Sequence, residues 1–260
     1  LRIVRFAVKG KVRFGRLDGD VIHGFKGSPF AHFKSPGGSF PLDGIRYRLD
    51  EVKLLAPCVP SKIVCLGLNY RAHAEETRLP IPTVPLIFLK PSTAVVGPED
   101  KIVLPRDAKR VDYEGEMAVV MGKIAKDVFE GEARGYVLGY TCFNDVSDRH
   151  AQRDDGQWTR AKGYDTFAPT GPCIETDIAP DDLKLETYLN GELKQSARTS
   201  DLIFGVSKLV SFISGVMTLL PGDVIATGTP SGIGPLNAGD VVEVRIEGIG
   251  ALRNYVTRQG

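Results

Sequence analysis

Histidine, cysteine and net charge are all in short supply in this 260-residue chain. The four cysteines are Cys58, Cys65, Cys142 and Cys173, with no C-x-x-C pair and no histidine cluster at zinc-ligand spacing. That excludes a disulfide framework and a structural zinc site. Cys65 and Cys142 lie inside apolar runs and read as reduced, buried thiols of a cytoplasmic protein. The net charge is +1, from 33 basic and 32 acidic residues, and no five like charges run together. There is no single-sign field to gather nucleic acid or an anionic membrane. No run of about 18 apolar residues could span a bilayer, and the opening LRIVRFAVKG lacks the apolar stretch of a secretory leader. A G-x-S-x-G elbow, an H-E-x-x-H motif and a G-K-[ST] phosphate loop are all missing.

What remains is an ordinary globular composition, 42% hydrophobic and 25% charged, enough to build a core without staples. The length suits a main domain with a small appendage. RIVRFAV, KVRFGRL and VIHGF alternate as short strands around the turn Asp18-Gly19-Asp20. KSPGGSFPLDG is loop, and Pro57 and Pro60 bracket a boundary. A small β-rich N-terminal domain over 1–57 and a catalytic domain over 58–260 are expected. In the latter, KIVCLGL is a buried strand. Asn69 is placed to cap a short helix, YRAHAEET, stopped at Leu79-Pro80-Ile81-Pro82. LIFLK, VDYEGEMAVVMG and YVLGYTCFND read as strands, and FEGEARGY as a short helix. VSDRHAQRDDGQW is polar and partly helical. Asn190-Gly191 turns a hairpin. SKLVSFISGVMTLL has apolar residues at Leu209, Phe212, Ile213 and Val216, the spacing of an amphipathic helix. DVIATGTP and DVVEVRIEGIGALRNYV close the chain as strands. The fold class is mainly β with short helices (α+β), without the alternation of βαβ units.

Four features carry chemistry. Glu114 and Glu116 are two apart in a strand-like segment and so share a face, roughly 7 Å apart. Either that face is solvated, as Asp112 beside them suggests, or a cation sits between them. Asp145, where YTCFND turns polar, would complete a hard oxygen site for Mg²⁺, with Mn²⁺ or Ca²⁺ as substitutes. His73 and Glu76, three apart, share a helix face as an acid/base pair or as incidental surface groups. Lys162 is either solvated or placed to stabilise an oxyanion. Thr227-Gly228-Thr229, within TGTPSGIG, is a turn or a nest for a carboxylate.

Taken in order, LGLNYRAHAEE, LIFLKPSTAVVGP, VDYEGEMAVVMGK, GYTCFNDVSDRHAQ, QWTRAKGYDTFAPTGP, YLNGELKQSARTSDLIF and ATGTPSGIGP resemble the fumarylacetoacetate hydrolase family over about residues 60–258. The likeness is to its short acylpyruvase and 2-hydroxyhepta-2,4-diene-1,7-dioate isomerase type. It implies a mixed β-sandwich roll, with a small N-terminal domain, assembled as a homodimer. It places the metal ligands at Glu114, Glu116 and Asp145, and catalytic groups at His73, Glu76 and Lys162. Substrate contacts fall on Thr227, Gly228 and Thr229, with Asn69 and Tyr70. The implied substrates are small 2-oxo acids of aromatic compound catabolism. The first expectation is C–C hydrolysis of acylpyruvates through an enolate. The second is isomerisation or decarboxylation of 2-hydroxy-diene-dioates, of 5-oxopent-3-ene-1,2,5-tricarboxylate or of oxaloacetate, the last also open to tautomerisation. The third is a non-catalytic metal-binding protein on the same fold.

Overall fold

The computed structural model describes residues 1–77 and 80–260, with the Thr77 side chain outside the description. The fold is mostly β with a few short helices, as the sequence predicts. Among the described residues three sheets are formed, of twelve, three and five strands. The spine of the largest is Gly115–Met121, whose seven residues are all buried. It pairs antiparallel with Val137–Asn144 on one side and with Val224–Ala226 on the other. Beyond Val224–Ala226 come Ile63–Leu66, parallel to it, and the edge strand Ile87–Lys90.

The apolar pattern explains this position. Met117, Val119 and Met121 face one core cluster, which includes Leu185, Val244 and Ile246 of the five-stranded sheet. Ala118 and Val120 alternate onto a second cluster with Ile63, Cys65, Phe143 and Ala226. A strand covered on both faces reads as a continuous apolar run. Helix Val206–Val216 closes the first cluster with Val206, Leu209, Val210 and Ile213. Phe212 packs at its margin, and Val216, expected on the apolar stripe, is 56% exposed. The stripe starts earlier than its sequence spacing suggests, because Gly205 begins the helix.

The chain over 1–57 supplies five strands hydrogen-bonded into the twelve-stranded sheet. Arg2–Val8 pairs with Ala168–Glu175, Ile3 opposite Ile174, and with Lys53–Leu55 on its return. Asn190 and Gly191, at φ 53° and 82°, turn the expected hairpin. All four cysteines are free and buried.

Two local readings need correcting. VDYEGEMAVVMG is two strands: Val111–Tyr113 belongs to the three-stranded sheet, and the chain changes sheet at Glu114. Asn69 lies two residues ahead of the helix Arg71–Thr77, and its side chain is engaged elsewhere. Its side chain accepts from the Phe204 N–H at 2.8 Å and donates to the Phe204 and Thr227 carbonyls at 3.0 and 2.7 Å. The helix stop expected from Leu79 begins outside the described residues.

Candidate metal centre

Glu116 is the second residue of the central strand, and Asp145 follows the neighbouring strand, whose last residue Asn144 pairs with Gly115. The Asp145 N–H donates to the Glu114 carbonyl at 2.8 Å, which locks the two segments together. One carboxylate oxygen from each of Glu114, Glu116 and Asp145 lies within 4.8 Å of the others. The solvated-face alternative fails: Glu114 is 6% exposed, and Glu116, Asp145 and Asp112 are fully buried. Asp112 pairs with Arg110 and Arg149 and stands apart from the triad.

Glycine at 115 allows this packing. A Cβ there would lie 2.0 Å from Thr187 Oγ1. The Gly115 N–H donates to Gln195 Oε1 at 3.0 Å, and its carbonyl accepts from the Thr229 hydroxyl at 2.9 Å. The Thr227 hydroxyl donates to the Met117 carbonyl at 2.8 Å, and the Gly228 N–H to Glu116 Oε2 at 2.7 Å. The threonine loop, read from sequence as a turn or a carboxylate nest, braces the glutamate strand. Gly228 adopts φ 97° and its missing Cβ would meet Asn69 at 2.8 Å, so glycine fits on both counts.

Cations surround the triad. Lys162, buried on the helix Thr159–Gly163, donates to Glu114 Oε2 at 2.9 Å and to Asp145 Oδ2 at 2.8 Å. Arg149 donates to Glu114 Oε1, and Lys90 to Asp145 Oδ1. Sequence reasoning missed both. The signal for Lys90 is a lysine ending an apolar strand, and for Arg149 an arginine four residues past Asp145.

The charges are unequally compensated. Burial pushes the Glu114 carboxyl up, but Lys162 and Arg149 outweigh it and hold it well below the usual carboxylate range. For Glu116, burial and then the charges of Asp145 and Glu114 all push the same way, well above that range. Its Oε1 is buried with no hydrogen-bond partner among the described residues. An acceptor oxygen left bare beside two more carboxylates fits a hard divalent cation.

His73 and Glu76 meet as expected, Nδ1 to Oε2 at 2.9 Å, and the other Glu76 oxygen accepts from the Gly232 N–H at 3.1 Å. His73 is 7% exposed and lines a cavity of about 650 Å³ with Glu114, Arg149, Trp158, Lys162 and Ile233. Tyr70 is buried, and its hydroxyl has no hydrogen-bond partner among the described residues. Burial and then the nearby Glu116 push its phenol up, so it stays a donor.

Among the described residues no helix is long and apolar enough to cross a membrane. Residues 62–257 match the family model described as fumarylacetoacetate (FAA) hydrolase C-terminal, and residues 1–57 the model described as Rv2993c-like, N-terminal. Protein Rv2993c of Mycobacterium tuberculosis is 48% identical over 263 residues, covering 100% of this chain and 99% of that one. The crystal structure of 2-hydroxyhepta-2,4-diene-1,7-dioate isomerase from Mycobacterium marinum superposes with a TM-score of 0.92 at 47% identity, covering 100% of this chain and 99% of that one. Maleylpyruvate hydrolase from Sphingobium sp. SYK-6, solved with manganese(II) ion and pyruvate, gives a TM-score of 0.81 at 31% identity, with 100% of both chains covered. Joined to the carboxylate cluster and its fold, these likenesses make the chain a member of the fumarylacetoacetate hydrolase family, a family of enzymes.

Proposed function

We propose that the protein is a divalent-cation-dependent enzyme acting on 2-oxo acids with a second carbonyl, and that it hydrolyses the C–C bond of acylpyruvate-like substrates. The observation that carries this reading is one cavity lined by His73, whose Nδ1 is held by Glu76, together with Glu114 and Lys162; Glu114 belongs to the carboxylate triad, in which Glu116 keeps a bare oxygen. Glu114, Glu116 and Asp145 would hold Mg²⁺, or Mn²⁺ in its place; when bound it supplies Lewis-acid polarisation of the 2-oxo group.

The chain's own groups do the rest. Lys162 brings a buried ammonium to the cavity and stabilises negative charge gathering on the 2-oxo oxygen. The Tyr70 hydroxyl donates to the substrate head, which lies against Thr227-Gly228-Thr229, itself anchored by Asn69. His73, with Nδ1 given to Glu76, takes a proton from water at Nε2, and Glu76 steadies the imidazolium. The hydroxide attacks the distal carbonyl, the C–C bond breaks, and its electron pair departs as the enolate of pyruvate. The proton held by His73 then returns to that carbon. The family resemblance supports a cytoplasmic homodimer.

Isomerisation or decarboxylation of a 2-hydroxy-diene-dioate is the second reading, favoured by the full-length likeness to the M. marinum isomerase. There the His73–Glu76 pair would move a proton between atoms of the substrate, or protonate the carbon that loses CO2, without attack by water. Assay with Mg²⁺ against acetylpyruvate, fumarylpyruvate, oxaloacetate and such a dioate separates the readings. Hydrolysis of the acylpyruvates is expected, with His73→Ala slower by about 100-fold or more and its metal affinity unchanged. Turnover of the dioate alone moves the assignment to the isomerase. A full rate in His73→Ala removes the dyad from the mechanism. Metal binding with no turnover of any substrate leaves the non-catalytic reading.

A further inference from the structure

Strand Ile87–Lys90 is the outer edge of the main sheet, and residues two apart on it share a face. Phe88 and Lys90 both turn toward the carboxylates. The Phe88 ring lies 5.0 Å from the Lys162 ammonium and is held edge-on by Trp158 at 5.1 Å. Lys90 is fully buried, and its ammonium donates to Asp145 Oδ1 and to the Val146 carbonyl at 3.0 Å. A buried ammonium persists where its charge is opposed and its hydrogen bonds are made. Asp145 and Val146 supply both.

The three carboxylates follow one pattern. Each has an oxygen taken by a protein donor: Glu114 Oε1 by Arg149, Glu116 Oε2 by the Gly228 N–H, Asp145 Oδ1 by Lys90. Of the remaining oxygens, Glu114 Oε2 and Asp145 Oδ2 converge on the single nitrogen of Lys162, and Glu116 Oε1 is bare. Convergence on one nitrogen marks Glu114 Oε2 and Asp145 Oδ2 as the oxygens turned toward each other, and each keeps a lone pair beside its bond to Lys162; with the bare Glu116 Oε1 they give one inner oxygen per carboxylate, while the other donors hold the second oxygens outward. Three single-oxygen ligands match the octahedral shell of Mg²⁺ or Mn²⁺. Ca²⁺ prefers six to eight oxygens, with carboxylates often bidentate.

We propose that Lys90 is a positioning residue that keeps Asp145 a one-oxygen ligand, and that this tether, with Arg149 and the Gly228 N–H acting likewise on the glutamates, fits the site to a small divalent cation and against Ca²⁺. This rests on the triad being the metal site, and not on which reaction follows.

Calorimetric titration of Mg²⁺, Mn²⁺ and Ca²⁺ into the wild type, Lys90→Met and Lys90→Arg tests it. The wild type binds Mg²⁺ and Mn²⁺ more tightly than Ca²⁺. In Lys90→Met, Asp145 is free to present both oxygens: Mg²⁺ affinity falls by about tenfold or more, and preference moves toward Ca²⁺. Lys90→Arg restores a donor and moves preference back. Equal or tighter Ca²⁺ binding by the wild type overturns the proposal, whether or not the variants fold. So does a folded Lys90→Met with wild-type affinities and preference. Failure of the wild type to bind any of the three ions overturns it together with the metal centre, whereas metal bound without turnover touches the proposed reaction alone.

Discussion

Glu116 carries a charge that its surroundings resist. It is buried, it faces two other carboxylates, and the Gly228 N–H is its one hydrogen-bond donor among the described residues. A carboxyl whose folded pKa lies above its unfolded value binds its proton more tightly in the folded chain. Without metal, its contribution to stability is therefore full below the ordinary glutamate range and is lost as pH rises through the raised value. In EDTA, the Tm of the wild type should fall relative to Glu116→Gln between about pH 5 and pH 8, and saturating Mg²⁺ should abolish the difference. Parallel curves in EDTA would show that Glu116 does not titrate there. The two glutamates were legible because residues two apart in an extended segment share a face, although Glu114 itself lies at the break between two strands. Lys90 was not: a lysine closing an apolar run looks like the solvated end of a strand, and its partner Asp145 is 55 residues away.

Among the elements, the strand break at Glu114 decides the most. Val111–Tyr113 and Gly115–Met121 lie in different sheets, and the bend between them lets Glu114 meet Arg149 and Lys162. No periodicity marks such a change of sheet, so the sequence reads one strand where there are two. Gly115→Ala places a methyl against Thr187 of the five-stranded sheet. It should destabilise the protein by about 1–3 kcal/mol, the range for overpacking a filled core, and weaken metal binding by displacing Glu114 and Glu116. An unchanged denaturation midpoint would mean that Thr187 moves aside freely. The helix Arg71–Thr77 was legible as an element, but Asn69, an N-cap by residue type, is drawn away to Phe204 and Thr227. Local propensity cannot register partners that far along the chain.

At the scale of the whole molecule, a β-dominated fold with short helices could be read from alternating and continuous apolar runs. The order of the strands could not. The N-terminal strands extend the sheet that carries the site through the Arg2–Val8 pairing with Ala168–Glu175, and register of that kind is fixed by tertiary packing rather than local pattern. The resemblance to a family, spread over seven ordered segments, chose between a solvated and a cation-binding pair of glutamates; burial then removed the solvated alternative. Everything proposed for the chemistry stands on that pair with Asp145 holding a cation. Calorimetric titration of Mg²⁺ into the wild type and into Glu116→Ala, with circular dichroism to confirm folding, measures it directly. Binding of one ion per wild-type chain and its loss in the folded variant is the predicted result; a folded Glu116→Ala that binds Mg²⁺ with wild-type affinity would contradict it.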